Sequence, residues 1–123
     1  MNEPLLDRLA AHYEAAGIPA PAPKQAAREL GENPAIVEGV VRRLVQEKRL
    51  VVLRNDLVAS TAALETLWRK LLASERESFT ARDVKQRLGL TSRWAIPVLE
   101  HFDAQGWTRR EGAEHRRTAG GML

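Results

Sequence analysis

Apolar positions recur along the chain with two periods, and the switches between them outline the fold. Leu5, Leu6, Leu9 and Tyr13 form one helical stripe, with Asn2 and Pro4 as its start and Gly17 as its end. Residues 18–23 carry three prolines and predict an extended connector, and residues 24–30 predict a short helix closed by Gly31. Asn33-Pro34 joins a cap to a first-turn proline, so a third helix runs from Pro34 to about Lys48, burying Ile36, Val37, Val40, Val41 and Leu44. Residues 50–53, a turn at Asn55-Asp56 and residues 57–59 then predict a hairpin, apolar apart from Arg54 near its tip.

The same order then recurs. A shift of 58 residues without a gap pairs Leu6 with Leu64, Leu9 with Leu67, Leu30-Gly31 with Leu88-Gly89, Val40 with Val98, Val41 with Leu99 and Leu44 with Phe102. A repeat confined to apolar positions predicts two copies of one small fold, residues 1–60 and 61–123. In the second copy Ser60 or Thr61 caps a helix bearing Leu64, Leu67, Trp68, Leu71 and Leu72. Thr80 and Asp83 fit a capping box, with Phe79 and Val84 as its hydrophobic staple, for a helix ending at Leu88. Thr91 or Ser92 caps the next helix, residues 93–105, whose buried face is Ala95, Val98, Leu99 and Phe102 and which Pro97 bends slightly. Gly106 ends it, residues 107–110 predict a strand, 111–114 a turn, 115–117 the returning strand and 118–121 a frayed tail. Helices followed by a two-stranded ribbon are the order of a winged helix-turn-helix. The predicted class is therefore mainly α with small β-hairpins (α+β), as two tandem winged-helix domains.

Composition narrows the chemistry. With 44% hydrophobic and 28% charged residues the chain is globular, and without cysteine it forms neither disulfides nor thiolate metal sites. The start lacks a basic segment followed by an apolar one, and the longest clean apolar run is Leu50-Val51-Val52-Leu53. A cytoplasmic, membrane-free monomer is expected. His12, His101 and His115 are too dispersed for a metal site, and no nucleophile elbow or glycine-rich phosphate loop occurs, so neither an enzyme nor a cofactor is expected.

Charge is placed unevenly. Residues 1–61 hold eight basic and eight acidic residues, whereas residues 62–123 hold eleven and eight, so the whole excess of +3 lies in the second half. Arg109, Arg110, Arg116 and Arg117 sit on the predicted second ribbon, and Arg82, Lys85 and Arg93 near helix starts. Such patches suit contacts to phosphate.

The residues Phe79-Thr80, then Leu88-Gly89-Leu90-Thr91-Ser92-Arg93-Trp94-Ala95-Ile96-Pro97-Val98-Leu99-Glu100-His101-Phe102-Asp103, then Gly106-Trp107-Thr108-Arg109-Arg110-Glu111-Gly112, carry a resemblance over about 40 residues. They resemble the last winged helix of bacterial selenocysteine-specific elongation factors, the SelB family, in its Ala-(Leu/Ile)-Pro-x-Leu-Glu-x-x-Asp run and Thr-Arg-Arg wing. Ser92 departs from the pattern, standing where that family often has a second basic residue. The resemblance implies a role in holding the messenger-RNA stem-loop that recodes a stop codon as selenocysteine. It also implies that the GTPase and tRNA-binding domains, and the dealings with the ribosome, belong to a larger protein of which this is a C-terminal piece.

The residues themselves leave three uses open: an RNA-binding module, a DNA-binding winged-helix regulator, or a protein-interaction scaffold. On a helical wheel the outward face of residues 93–105 shows Arg93, Pro97, Glu100 and Ala104, a poor set for reading base edges in a major groove. Donors at helix starts and on the ribbon favour an RNA backbone and an exposed loop base. The candidate RNA-binding residues are Arg82, Lys85, Ser92, Arg93, Trp94, Arg109, Arg110, His115, Arg116 and Arg117. Core packing is favoured over base stacking for Trp94, and is the main role expected of Trp68 and Trp107.

Overall fold

A computed structural model describes residues 3–121 of the chain, which divides into two compact units, Met1–Leu64 and Glu65–Leu123. The first holds α1 (Glu3–Ala16), α2 (Pro23–Leu30), α3 (Pro34–Gln46), β1 (Leu50–Val52) and β2 (Val58–Ser60). Asn2, the expected start of α1, lies outside the described residues. Asn33 caps α3 by accepting from the Ala35 amide at 2.8 Å, with Pro34 at the first helical position. The strands pair antiparallel around a turn in which Asn55 and Asp56 both take left-handed backbone angles (φ 64° and 59°). Leu9, Tyr13, Ala26, Ala27, Val37 and Leu44 are fully buried and form the core with Leu50 and Val58. Within it the Tyr13 hydroxyl donates to the Pro21 carbonyl at 2.9 Å; burial, and then the charge of Glu29, push its pKa up to about 12. Two expectations for α3 are corrected: Ile36 is 45% exposed on the solvent side of the first turn, and Val40 is only half-buried.

The second unit is built on α4 (Thr61–Ala73), β3 (Ser78–Phe79), α5 (Ala81–Leu88), α6 (Ser92–Ala104), β4 (Thr108–Glu111) and β5 (Glu114–Arg117); the division between the units falls within α4. Ser60 is the residue that caps α4, accepting from the Ala63 amide at 3.0 Å. The capping box of α5 is complete: Thr80 Oγ1 accepts from the Asp83 amide at 3.2 Å, and Asp83 accepts from the Thr80 amide at 2.9 Å. Trp68 is the hub of the core, its ring meeting Phe102 at 5.0 Å, Phe79 at 6.5 Å and, nearly parallel, Trp107 at 5.7 Å.

The repeat read from apolar positions extends to element boundaries. Shifting α2 and α3 by 58 residues lands both ends of each on the ends of α5 and α6. Gly31 and Gly89 close α2 and α5 with matching left-handed angles (φ 68°, ψ 35° and φ 66°, ψ 33°). The sheets differ, however. The second is three-stranded, in the order β3-β5-β4. The positions equivalent to Ser78-Phe79 are Ala20-Pro21, where proline has no amide to offer a ladder.

Three further expectations change. Pro97, placed outward by the helical wheel, is buried, and Ile96 is 42% exposed in its stead. The reason is that α6 packs on both α5 and β4, so its buried arc takes in Trp94, Pro97 and His101 beside the expected stripe. Thr91 stands at the N-cap of α6 without a side-chain cap bond. Residues 118–121 are ordered rather than frayed: the Thr118 amide donates to the Trp107 carbonyl at 3.0 Å, its hydroxyl donates to the Gly106 carbonyl, and Ala119–Gly121 forms a short 3-10 turn.

Candidate nucleic-acid interface

The ten candidate residues separate into three environments. Arg82 and Arg93 occupy the second positions of α5 and α6, and Lys85 lies one turn further along α5. All three are exposed, and among the described residues none has an acidic partner. Arg82 and Arg93 oppose the helix dipole at their N-termini, an unfavourable term of roughly 0.3–1 kcal/mol each, so their placement does not serve the helices, whereas Lys85, expected at a helix start, falls in the last turn of α5, where a cation is favourable. Ser92, the first residue of α6, is exposed beside Arg93.

The wing arginines are already engaged. Register places Arg109 directly opposite Arg116, and Glu111 lies two residues along the same face of the ribbon. Glu111 takes Arg109 Nη2 at 2.5 Å and Nε at 3.2 Å on one oxygen, and Arg116 Nε at 3.2 Å on the other. The hydrogen bonds from Arg109, and then those from Arg116, hold the Glu111 carboxyl below the usual carboxylate range. Glu77 reaches Arg116 at 3.6 Å as well. Arg110, exposed on the opposite face, donates from Nε to the Gly112 carbonyl at 3.1 Å. Arg117 is half-buried and donates to the Arg76 carbonyl at 3.2 Å.

Two candidates face inward, which agrees with core packing as the favoured role of Trp94 and sets His115 apart from the exposed candidates. Trp94 is 6% exposed, its ring committed to packing. His115 is 8% exposed, and its Nδ1 meets Asp103 at 2.8 Å. Asp103 also accepts from the Thr108 hydroxyl at 2.6 Å, so a single carboxylate on α6 fastens both wing strands. The sequence reading missed Asp103 and Glu77 because both act on partners remote in the chain. Asp103 stood within the family-like run, the one available signal.

No group of three or more His, Cys, Asp or Glu side chains is placed to hold a metal ion among the described residues. Nor, among them, is any helix long and apolar enough to cross a membrane.

Comparison with known proteins agrees with this architecture. Residues 70–117 match the family model described as elongation factor SelB, winged helix. The chain is 33% identical over 81 residues to the selenocysteine-specific elongation factor of Escherichia coli (strain K12), a match covering 66% of this chain and 12% of that protein. The chain therefore spans a small part of that relative. Among solved structures, the mRNA-binding domain of elongation factor SelB from E. coli, determined in complex with SECIS RNA, superposes with a TM-score of 0.73 at 24% identity, covering 96% of this chain and 100% of that one. That likeness establishes the tandem winged-helix fold.

Proposed function

We propose that this chain is the RNA-binding C-terminal part of a selenocysteine-specific elongation factor, on the ground that residues 70–117 match the SelB winged-helix model. In this reading the second unit holds the mRNA stem-loop that marks a stop codon for recoding. The GTPase and tRNA-binding work, and contact with the ribosome, fall to the rest of the larger protein. The chain itself performs no catalysis. The observation that carries the reading is that the exposed, unpartnered cations Arg82, Lys85 and Arg93 lie within the family-matched segment.

These three residues are the primary contacts, joined by Arg110 on the wing and by Ser92 at the same helix start as Arg93. The outward side of α6 offers Arg93, Ile96 and Ala104, with Glu100 half-buried, which is too poor in donors to read a DNA major groove. RNA is favoured for that reason. The first unit lacks an equivalent patch: the positions matching Arg93, Arg109 and Arg110 are Ala35, Val51 and Val52, and Ala59, the strand partner of Val51, stands where Arg116 pairs with Arg109. Its role is that of a spacer.

The test is a salt-titrated binding comparison of the SECIS hairpin from the E. coli complex, the same stem with a uridine loop, and a DNA duplex of equal length. A preference for the first hairpin that survives physiological salt is the expected result. Equal binding of duplex and hairpins overturns the reading in favour of a DNA regulator, and no binding in favour of a protein scaffold. Within the intact chain, alanine at Lys24, Arg28 and Arg42 of the first unit should leave hairpin binding near the parent value, whereas alanine at Arg82, Lys85 and Arg93 should abolish it.

A further inference from the structure

The wing ribbon is basic in sequence, but on its outer face the anions outnumber the cations. The cations of that face are Arg109 and Arg116, 71% and 46% exposed, and its anions are Glu111 and Glu114, with Glu77 reaching in from the segment before β3. Glu114 is held by the Ser78 hydroxyl at 3.0 Å, whereas both oxygens of Glu111 are given over to guanidinium groups. A carboxylate gripped by two guanidinium groups has the arrangement in which arginines take a phosphate. We infer that Glu111 is a built-in stand-in for phosphate that occupies Arg109 and Arg116 until an anchored RNA displaces it, which makes it a residue that sets binding selectivity. This inference rests on the RNA-binding reading above.

The selectivity follows from the exchange. A polyanion that meets the wing alone trades one anion for another and brings its charge beside Glu111, Glu114 and Glu77, so it gains little. An RNA already held by Arg82, Lys85 and Arg93 presents its phosphates to the wing at high effective concentration, and the exchange becomes intramolecular. The contacts to be displaced are exposed and screened by salt, so they yield to such a competitor.

The experiment uses the full chain with Glu111→Gln, which keeps the shape and removes the charge. Binding is measured against the SECIS hairpin, the uridine-loop hairpin and poly(uridylate) over a salt series. Poly(uridylate) should bind several-fold more tightly, with the slope of log K against log salt steeper by roughly 0.7 for each arginine released. The SECIS hairpin should gain less, so that the ratio between them shrinks. Nitrogen-15 resonances of the Arg109 and Arg116 Nε groups should move in the variant, where the anionic partner is lost, and move back toward their parent positions when the SECIS hairpin binds the variant. Unchanged poly(uridylate) affinity and slope overturn the inference, as does an equal gain for all three RNAs or weaker binding of all three. If the parent shows no RNA preference at all, the proposed function fails, and a tightened, steeper poly(uridylate) curve in Glu111→Gln still distinguishes the latch from that failure.

Discussion

Asp103→Ala should loosen the wing from the second unit, and the size of the effect can be worked from its contacts. The Asp103 side chain is 24% exposed and accepts from the Thr108 hydroxyl at 2.6 Å and from His115 Nδ1 at 2.8 Å. Thr108 and His115 are only 3% and 8% exposed, so truncation leaves two buried polar groups without their partner. Each such orphan costs about 1–3 kcal/mol, and because the hydroxyl can rotate and the open side of Asp103 admits water, we expect about 2–3 kcal/mol in total. For a unit of this size that lowers Tm by roughly 10–20 °C. Asp103→Asn retains an acceptor for Thr108 but turns a donor toward His115, and should lose about half as much. Tryptophan fluorescence in urea or on heating is the right assay, since Trp68, Trp94 and Trp107 all lie in the second unit and report on it alone. Stability within about 0.5 kcal/mol of the parent would refute the view that this carboxylate ties down the wing.

Other perturbations follow from the same geometry. Arg93→Ala should weaken the SECIS hairpin by about 1–3 kcal/mol and narrow its advantage over the uridine loop, whereas Arg82→Ala should weaken both alike and flatten the salt slope by roughly 0.7–0.9; salt series on both variants with both loops would expose reversed roles. Burial holds His101 below its ordinary 6.5, so the unfolded chain takes up the proton first. The second unit should therefore be fully stable above pH 6.5 and lose stability as pH falls below it, and His101→Gln should flatten that part of a denaturation profile. Thr80→Ala removes the cap of α5 and should cost about 1 kcal/mol. Hydrogen bonding from the Thr80 amide, more than any other influence, lowers the Asp83 pKa below 3.8, so its contribution is present above 3.8 and lost as pH falls through the lowered value; an acid titration of Asp83→Asn should lack that loss.

What the chain reveals by inspection is what neighbours in sequence decide. Asn33-Pro34, the box at Thr80 and Asp83, and the glycines closing α2 and α5 were all legible, because each works through bonds within a few residues. The strand β3 was not, since two residues become a strand only by pairing with β5 some 36 positions later. Pro97 was misplaced because a wheel centred on one stripe underestimates a helix packed on two sides. The wing charges were legible as residues, and so was an acidic neighbour for one of them. Glu111 lies beside Arg109 in sequence, but that it also grips Arg116 depends on the turn that brings the strands together. His115 moved from ligand contact to interior for a similar reason, its partner coming from α6.

The constant offset of 58 residues between α2 and α5, and between α3 and α6, means that one helical frame occurs twice in the chain. The lengths of these helices match across the copies while side chains differ: Ala35 takes the place of Arg93, and Val52 that of Arg110. The chain thus carries its own twin, with the same skeleton and a different surface. Arginine introduced at Ala35 tests whether one inherited position suffices to confer affinity, with the original partner in the same tube as reference.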